Sequence, residues 1–286
     1  MTRRTMRVGI VGAGVMAEAI MSGLIADRAV QPAQLTASHP RRERREVLAE
    51  RHGIRSVATN REALADAEVV VIAVKPQMLG RVMRELRGRL GGEQVVVSIV
   101  AGATLRTLVD GLQHAAVVRA MPNTPSQIRR GITVWTASEA CSTAQRDLAR
   151  GVLRALGEER QVADEAFVAM ATALSGTGPT YLFAVMEALI DAGVHLGFPR
   201  ELAHDLVVDT LLGSAEFARQ SDLHPAQLRN AVTSPGGTSA AAIYELEKGR
   251  LRTVLSDAVW AAYRRTQELG ARLERETRGE REGDGH

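Results

Sequence analysis

The hydrophobic pattern changes character partway along the chain. MRVGIV at residues 6–11 is a short apolar run that meets glycines and then a helical pattern lasting to Ala26. LTAS at 35–38 reads as a second strand, and RRERREVLAERHG at 41–53 reads as a polar-faced helix with Gly53 just past its end. EVVVIAV (68–74), QVVVSIV (94–100) and AAVVRAM (115–121) are nearly continuous apolar runs rich in β-branched residues, as expected of strands covered on both faces. Strands alternating with helical segments in this rhythm predict a parallel sheet covered by helices.

Beyond Gln161 the strands stop. DEAFVAMATALSG (164–176) opens a run of helices, predicted at 181–196, 200–220, 225–232, 238–248 and 251 to about 273. Pro179, Pro199 and Pro225 each suit the first turn of a helix. The charged, glycine-containing end RETRGEREGDGH predicts disorder. The helix at 181–196 is apolar nearly all round, with only Glu187, Asp191 and His195 strongly polar, so it calls for burial on several sides. A second copy of the same domain would supply that cover, which predicts a dimer. The organisation read from the pattern is an α/β nucleotide-type domain over 1–162, an all-helical domain over 163–275 and a disordered tail over 276–286.

Composition narrows the classes. Hydrophobic residues at 45% and charged residues at 24% describe a soluble globular protein. The pI of about 9.5 invites a nucleic-acid reading, but aromatics at 3% leave few platforms for stacking bases, so no nucleic-acid partner is expected. The positive charge is nearly all arginine, since Lys75 and Lys248 are the only lysines. Cys141 stands alone, so no intrachain disulfide forms and nothing points to an oxidising compartment. The basic, apolar N-terminus resembles a signal peptide, but Gly12, Gly14 and Glu18 interrupt it. With no membrane-length apolar stretch, the expectation is a cytoplasmic protein with no membrane partner and no metal ion.

The first candidate chemistry is VGIVGAGVMAEAI, where Gly12, Gly14 and Ala17 follow a strand and open a helix in the G-x-G-x-x-A form. Gly12 makes the tight turn, Gly14 lets a pyrophosphate approach the backbone, and Ala17 allows close helix–strand packing. The helix N-terminus adds free N–H groups and partial positive charge. This predicts a Rossmann-type, doubly wound sheet binding a dinucleotide. An NAD site would carry an acid at the end of the second strand, but this strand ends TASHPRRERR. Ser38, Arg41 and Arg42 suit a 2′-phosphate instead, which favours NADPH over NADH, while Arg44 and Arg45 read as a solvated face.

A second glycine loop, TSPGGTS at 233–239, opens the helix that starts near Thr238. It is again an anion site, with no preceding strand and no room for a dinucleotide, so a small carboxylate fits. A capped helix with a glycine hinge is the alternative.

With this loop in place, the chain from about Met6 to Leu269 resembles the pyrroline-5-carboxylate reductases. The resemblance rests on GAGVMAEAI, AVKPQ (73–77), VRAMPNTP (118–125), ALSGTGPTYLF (173–183), EALIDAGVHLGFPR (187–200) and HPAQLRNAVTSPGGTS (224–239), in that order. It implies reduction of 1-pyrroline-5-carboxylate to proline with NADPH, or less favourably NADH. It also implies a helical dimerisation domain, a homodimer built through it, and further assembly into rings of dimers, a decamer of dimers. Residue by residue, it implies that Gly12, Ala13, Gly14, Val15, Met16 and Ala17 hold the pyrophosphate and that Ser38 and Arg41 lie near the adenosine ribose. Asn60, Ala73, Val74, Lys75, Pro76 and Ala101 would line the cofactor further along, and Met121, Pro122 and Asn123 would lie beside the nicotinamide. Gly236, Gly237 and Thr238 would take the substrate carboxylate, with Glu165 and Asp222 nearby and Ser239 as the catalytic hydroxyl.

Three positions depart from the family pattern. Val15 stands where the family commonly has Asn, Thr177 replaces the second serine of SGSGP, and Ser239 replaces the second threonine of GGTT. Ser239 keeps the hydroxyl but is less restricted in rotamer. Imine reduction requires no strong base, which agrees with a loop that contains no histidine, and His224 reads as structural. Two alternatives stay open, a related cyclic-imine reductase and a non-catalytic NADP-binding sensor. Hydroxyacid dehydrogenases of similar layout use a lysine at the start of the helical domain, and neither Lys75 nor Lys248 matches that place.

Overall fold

The computed structural model describes residues 6–283, with side chains described to residue 277. The first half alternates as the pattern predicts: β1 (Val8–Val11), α1 (Val15–Ala26), β2 (Leu35–Ser38), α2 (Arg42–His52), β3 (Arg55–Val57), α3 (Asn60–Leu64), β4 (Val69–Ile72), α4 (Leu79–Leu86), β5 (Val95–Ser98), α5 (Leu105–Leu112) and β6 (Val117–Met121). Local signals account for many of the ends. Gly53 closes α2 in the left-handed conformation, and the Thr59 and Ser142 side chains each cap the third backbone N–H of the helix they precede.

Three strands go beyond the five read from the sequence: the short β3, which pairs with β2 in parallel at the sheet edge, and two later ones. β7 (Gly131–Ala137) runs antiparallel to β6, and after α6 (Thr143–Arg154) the polar β8 (Gly157–Gln161) pairs with β7 in parallel. Neither is an apolar run. β7 alternates in burial around a fully buried Trp135, whose indole N–H donates to Glu159 on β8 at 2.7 Å. β8 is a mostly exposed edge strand, so its residues GEERQ needed no apolar face. The eight described strands run in the order β3-β2-β1-β4-β5-β6-β7-β8.

The core lies on both faces of this sheet. Val8, Ile10, Val69, Val71, Val95 and Val97 pack with α1 and α6 on one side. Val70, Ile72 and Val96 pack with α4 and α5 on the other. Alternate residues of one strand therefore enter different clusters, which is why β4 and β5 read as unbroken valine runs.

The helical half consists of α7 (Ala166–Ala171), a π-helical turn over Thr172–Gly176, α8 (Gly178–His195), α9 (Arg200–Gln220), α10 (Pro225–Ala231), α11 (Thr238–Lys248) and α12 (Leu251–Gly283). The chain divides into two compact units, one reaching Thr177 and resuming at Ala262, the other Gly178–Ala261. The sequence put this division at 163. α7 packs against β6 and β7, and Leu273 of α12 joins the core beside α4 and α5, so both segments belong to the sheet unit. The tail expected to be disordered from 276 is helical to Gly283, supported where it begins by the Arg272–Glu276 pair and by Thr277 bonding the Leu273 carbonyl. Residues 284–286 of that expected tail lie outside the described residues.

Within the single chain α8 is not the buried helix its composition suggests. Only Pro179 is buried, and Leu182, Phe183 and Leu189 stand about half exposed. Among the described residues no helix is long and apolar enough to cross a membrane.

Candidate functional site

The strand order reverses between β1 and β4, both neighbours of one another while their helices lie on opposite faces. Val11, Ile72, Ser98 and Arg119 share one row across β1, β4, β5 and β6, so the loops leaving these strands open along one edge. That edge is where an open parallel sheet offers a ligand crevice. A cavity of about 520 Å³ lies there and gathers Gly12, Ala13, Gly14, Ser38, Arg41, Asn60, Ala73, Val74 and Lys75. A larger hollow of about 650 Å³ involves Met6 and α6, at the opposite end of β1, and brings together no converging anion donors.

The glycine loop is shaped as its motif requires. Gly12 has φ +89°, and a Cβ there would lie 2.6 Å from Val74 Cγ1 and 3.0 Å from the Ala73 carbonyl oxygen. Gly14 is the N-cap of α1, no side chain caps the helix, and a Cβ on Gly14 would meet nothing within 4 Å. The result is an open cradle of helical N–H groups with space directly before it, which fits a dinucleotide pyrophosphate. Val15, Met16 and Ala17 form the first turn behind it, with Ala17 fully buried and Val15 exposed.

Arg44 and Arg45, expected to face solvent, are half-buried and hold this loop region together. Arg44 Nε donates to the Ala13 carbonyl at 3.0 Å and its Nη2 to Glu18 at 2.5 Å. Arg45 donates to the carbonyls of His39 and Pro40, both at 2.9 Å. The Arg44 contacts reach across the chain, a tertiary effect with no local signal, whereas Arg45 turns back on the residues that lead into α2. Arg51 and His52 also bond Glu18. Burial alone would raise the Glu18 carboxyl, but hydrogen bonds from Arg44, His52 and Arg51 outweigh it and hold the pKa at about 2. His39, on the cavity wall, is pushed below its ordinary pKa by burial and by the charges of Arg41, Arg44 and Arg45, while its Nδ1 accepts the Arg41 N–H. Arg42, expected at the phosphate with Arg41, instead pairs with Glu46 at 2.6 Å on an exposed face.

Ser38 is fully buried at the end of β2, and its hydroxyl donates to Asn60 Oδ1 at 2.7 Å. Asn60 Nδ2 in turn donates to Glu85 of α4 at 2.9 Å. Glu85 and Arg81, one helical turn apart, both line the cavity, and neither carried a motif that sequence reading could use.

The other candidates of this unit lie along the same edge of the sheet. Pro76 starts the turn that follows Lys75. Ala101 precedes Gly102, whose φ is +81° and whose Cβ would come within 3.1 Å of the Gly270 nitrogen on α12. Met121 ends β6 and is followed by Pro122, and a Cβ on Gly176 would meet Met121 Cε at 2.9 Å. The π-helical turn therefore packs on the end of β6. Asn123 directs its side-chain oxygen to the Ile132 N–H at 2.9 Å, so it shapes the following turn.

Glu165, expected beside a substrate, has its carboxylate engaged inside the sheet unit. It accepts from Arg119 Nη1 at 2.5 Å and from the Leu105 N–H at 2.7 Å. Arg119 is 5% exposed on β6, and its position was read only as part of a motif.

The remaining candidates belong to the second unit. Asp222 is exposed in the turn between α9 and α10, and His224 caps α10 through its Nδ1, which bears out its structural reading. Gly236 has φ +71°, Gly237 is the N-cap of α11, and no side chain caps that helix. Ala241 makes the first backbone bond of α11, to Gly237 at 3.3 Å. The N–H groups of Thr238, Ser239 and Ala240 point out of the helix start, as helical geometry requires. The half-buried Ser239 hydroxyl has no partner among the described residues.

Comparison with known proteins follows the same outline. Residues 165–269 match the family described as pyrroline-5-carboxylate reductase dimerisation, and residues 7–102 match NADP oxidoreductase coenzyme F420-dependent. The chain is 40% identical to a pyrroline-5-carboxylate reductase of Synechocystis over 93% of its length and 99% of the relative's. It is 42% identical to one of Pseudomonas aeruginosa over 94% and 98%. A solved pyrroline-5-carboxylate reductase of Coxiella burnetii superposes with a TM-score of 0.86 at 38% identity, covering 93% of this chain and 99% of that one. A Plasmodium falciparum pyrroline carboxylate reductase with NADP bound gives 0.85 at 28% identity, covering 93% and 98%.

Proposed function

The chain belongs to the pyrroline-5-carboxylate reductase family and catalyses the NAD(P)H-dependent reduction its relatives are named for; we propose that it prefers NADPH and holds the substrate carboxylate at the start of α11. A nicotinamide cofactor held by this cavity would supply hydride to the imine carbon. The protein's part is to fix the two reactants, exclude water and offer a hydrogen bond at the ring nitrogen. Gly12 to Ala17 hold the pyrophosphate, and the cationic Arg41, Lys75 and Arg81 on the cavity wall favour a phosphorylated ribose. Ala101 and Met121 to Asn123 border the nicotinamide end.

The observation that carries the substrate reading is the uncapped start of α11 with an unpartnered hydroxyl on its first turn. The Gly237 N–H is already given to the Ser234 carbonyl at 3.0 Å, so the free backbone N–H groups of Thr238 and Ser239 take the carboxylate, with Gly236 and Gly237 shaping the turn and Asp222 on the approach. Ser239 Oγ then reaches the ring nitrogen and holds the proton there as imine becomes amine. Glu165 serves from a distance, by pairing with Arg119.

Ser239→Ala is expected to lower kcat for the imine by about 10–100-fold, somewhat less than loss of a donor from a fully preorganised site. KM should change less, and NADPH titration should match the parent. Ser239→Thr should stay active. Initial rates against both substrates, each at saturating partner, test this. Full kcat in Ser239→Ala would reduce the hydroxyl to a helix cap.

The protein is a homo-oligomer, and we take a dimer through the helical unit as its building block, with a decamer of dimers as the higher assembly. The exposed Leu182, Phe183, Leu189, Leu212 and Phe217 support this, since apolar side chains on this scale need a covering partner. Light scattering at low micromolar concentration should give the mass of a dimer or a whole multiple of it. A stable, active monomer sinks this arrangement.

A further inference from the structure

The chain of hydrogen bonds behind the adenosine end of the cavity has a direction. Glu85 is a carboxylate and only accepts, so the Asn60 amide must turn its Nδ2 toward it, at 2.9 Å. That leaves Asn60 Oδ1 facing Ser38, and an amide oxygen also only accepts. The Ser38 proton therefore goes to Asn60, at 2.7 Å, with the Ile10 carbonyl a more distant neighbour at 3.3 Å. What Ser38 has left to offer the cavity is a lone pair.

A lone pair suits one ligand and not the other. A free ribose 2′-hydroxyl carries a proton it can donate to Ser38. A 2′-phosphate has acceptor oxygens, and to bond one of them Ser38 must turn its proton away from Asn60. Asn60 Oδ1 then loses its donor, or the amide flips and brings its oxygen against the Glu85 carboxylate. Either result leaves a half-buried polar group unsatisfied. The Glu85 charge also faces the same cavity. Arg41 and Arg81 work in the opposite sense, since both line the cavity and neither guanidinium has a partner among the described residues.

We propose that Glu85 is a specificity-determining residue for the cofactor: acting through Asn60, it orients the Ser38 hydroxyl toward accepting a ribose 2′-hydroxyl and so limits the preference for NADPH that the arginines create. This rests on the pyridine-nucleotide reading of the cavity. It reverses the reading that the site lacks an acid. The acid that an NAD site carries at the end of β2 is present, delivered from α4 by way of Asn60.

Glu85→Gln keeps the shape of the chain and removes the direction. A glutamine amide can give or accept, so Asn60 is satisfied either way round and the Ser38 proton is freed for a phosphate oxygen. In the full-length protein, Glu85→Gln should raise the ratio of NADPH to NADH affinity about 3–10-fold, the worth of one ordinary net hydrogen bond. The change should appear in Kd and KM for the nucleotide more than in kcat. Nucleotide fluorescence titrations measure the Kd ratio without imine turnover, and steady-state rates measure it with turnover. The same substitution made beside Ser38→Ala should lose most of its effect on the ratio, because Ser38 is the atom through which it acts. An unchanged ratio, or equal loss for both nucleotides, overturns the proposal. So does a Glu85→Gln effect that persists undiminished without the Ser38 hydroxyl. A parent that binds both nucleotides yet reduces no imine would refute the reductase reading, while the Kd ratios still judge Glu85.

Discussion

Gly14→Val is expected to fold as well as the parent and to lose at least about 100-fold in affinity for NADPH, about 2.7 kcal/mol at room temperature. Gly14 has an ordinary backbone, φ −79° and ψ −170°, and a Cβ there meets no protein atom within 4 Å. The added Cβ therefore clashes with nothing in the free protein. It does fill the space in front of the α1 N-terminus, where the pyrophosphate must come close enough to accept backbone N–H bonds. Charge-assisted bonds of that kind contribute roughly 1.5–3 kcal/mol each, so loss of one or two gives the stated effect. NADPH fluorescence titration beside a thermal melt separates binding from folding. Gly12→Ala provides the contrast, because φ +89° and the 2.6 Å approach to Val74 put strain into the protein itself. It should lower the melting temperature as well as the affinity. Unaltered nucleotide affinity in Gly14→Val would remove the glycine loop from the binding site.

The second large effect is expected at Glu165. Replacing it with alanine leaves Arg119, 5% exposed on a central strand, without its counter-charge and the Leu105 N–H without its acceptor. Breaking a fully buried pair from one side costs about 3–5 kcal/mol, and since the Glu165 side chain keeps partial access to water the loss here should be about 2–3 kcal/mol. Chemical denaturation should show it as a lower midpoint at similar slope. The pair also ties α7 to β6 and to the start of α5, the elements that flank Ala101 and Met121. The Glu165→Ala variant should therefore bind NADPH more weakly. A variant with parental stability and a raised KM for the imine alone would return Glu165 to the substrate-ligand role that the family resemblance implies.

The legible parts of this protein were those carried by local chemistry. β1, β4, β5 and β6 could be found because strands covered on both faces must be apolar throughout. The ends of α2, α9 and α11 could be found from glycines, prolines and the change in polarity. The glycine loop could be read because each of its positions meets a backbone requirement. β8 escaped notice because an edge strand with one partner needs no apolar face, and GEERQ has none. Arg44 carries no local sign of its role, because an arginine on a polar helix looks solvated until that helix is laid against the Ala13 carbonyl and Glu18, while Arg45 bonds the His39 and Pro40 carbonyls just before its own helix. Arg42, three residues from Arg45, does face water. For Arg44 the difference from Arg42 lies in the docking of α2 and not in the residue.

By itself, then, the sequence determined the alternation of strands and helices, the dinucleotide loop, the helical second half and the family. All of these are written in residues close together along the chain or in blocks long enough to be matched. Only the tertiary structure decided which polar groups meet. Ser38, Asn60 and Glu85 are 22 and 25 residues apart in successive steps, and Arg119 and Glu165 are 46 apart. A hydrogen bond acts over about 3 Å, and whether two distant residues come that close depends on how every element between them packs. The direction of the Ser38 proton depends on a carboxylate that no reading of β2 alone could have supplied.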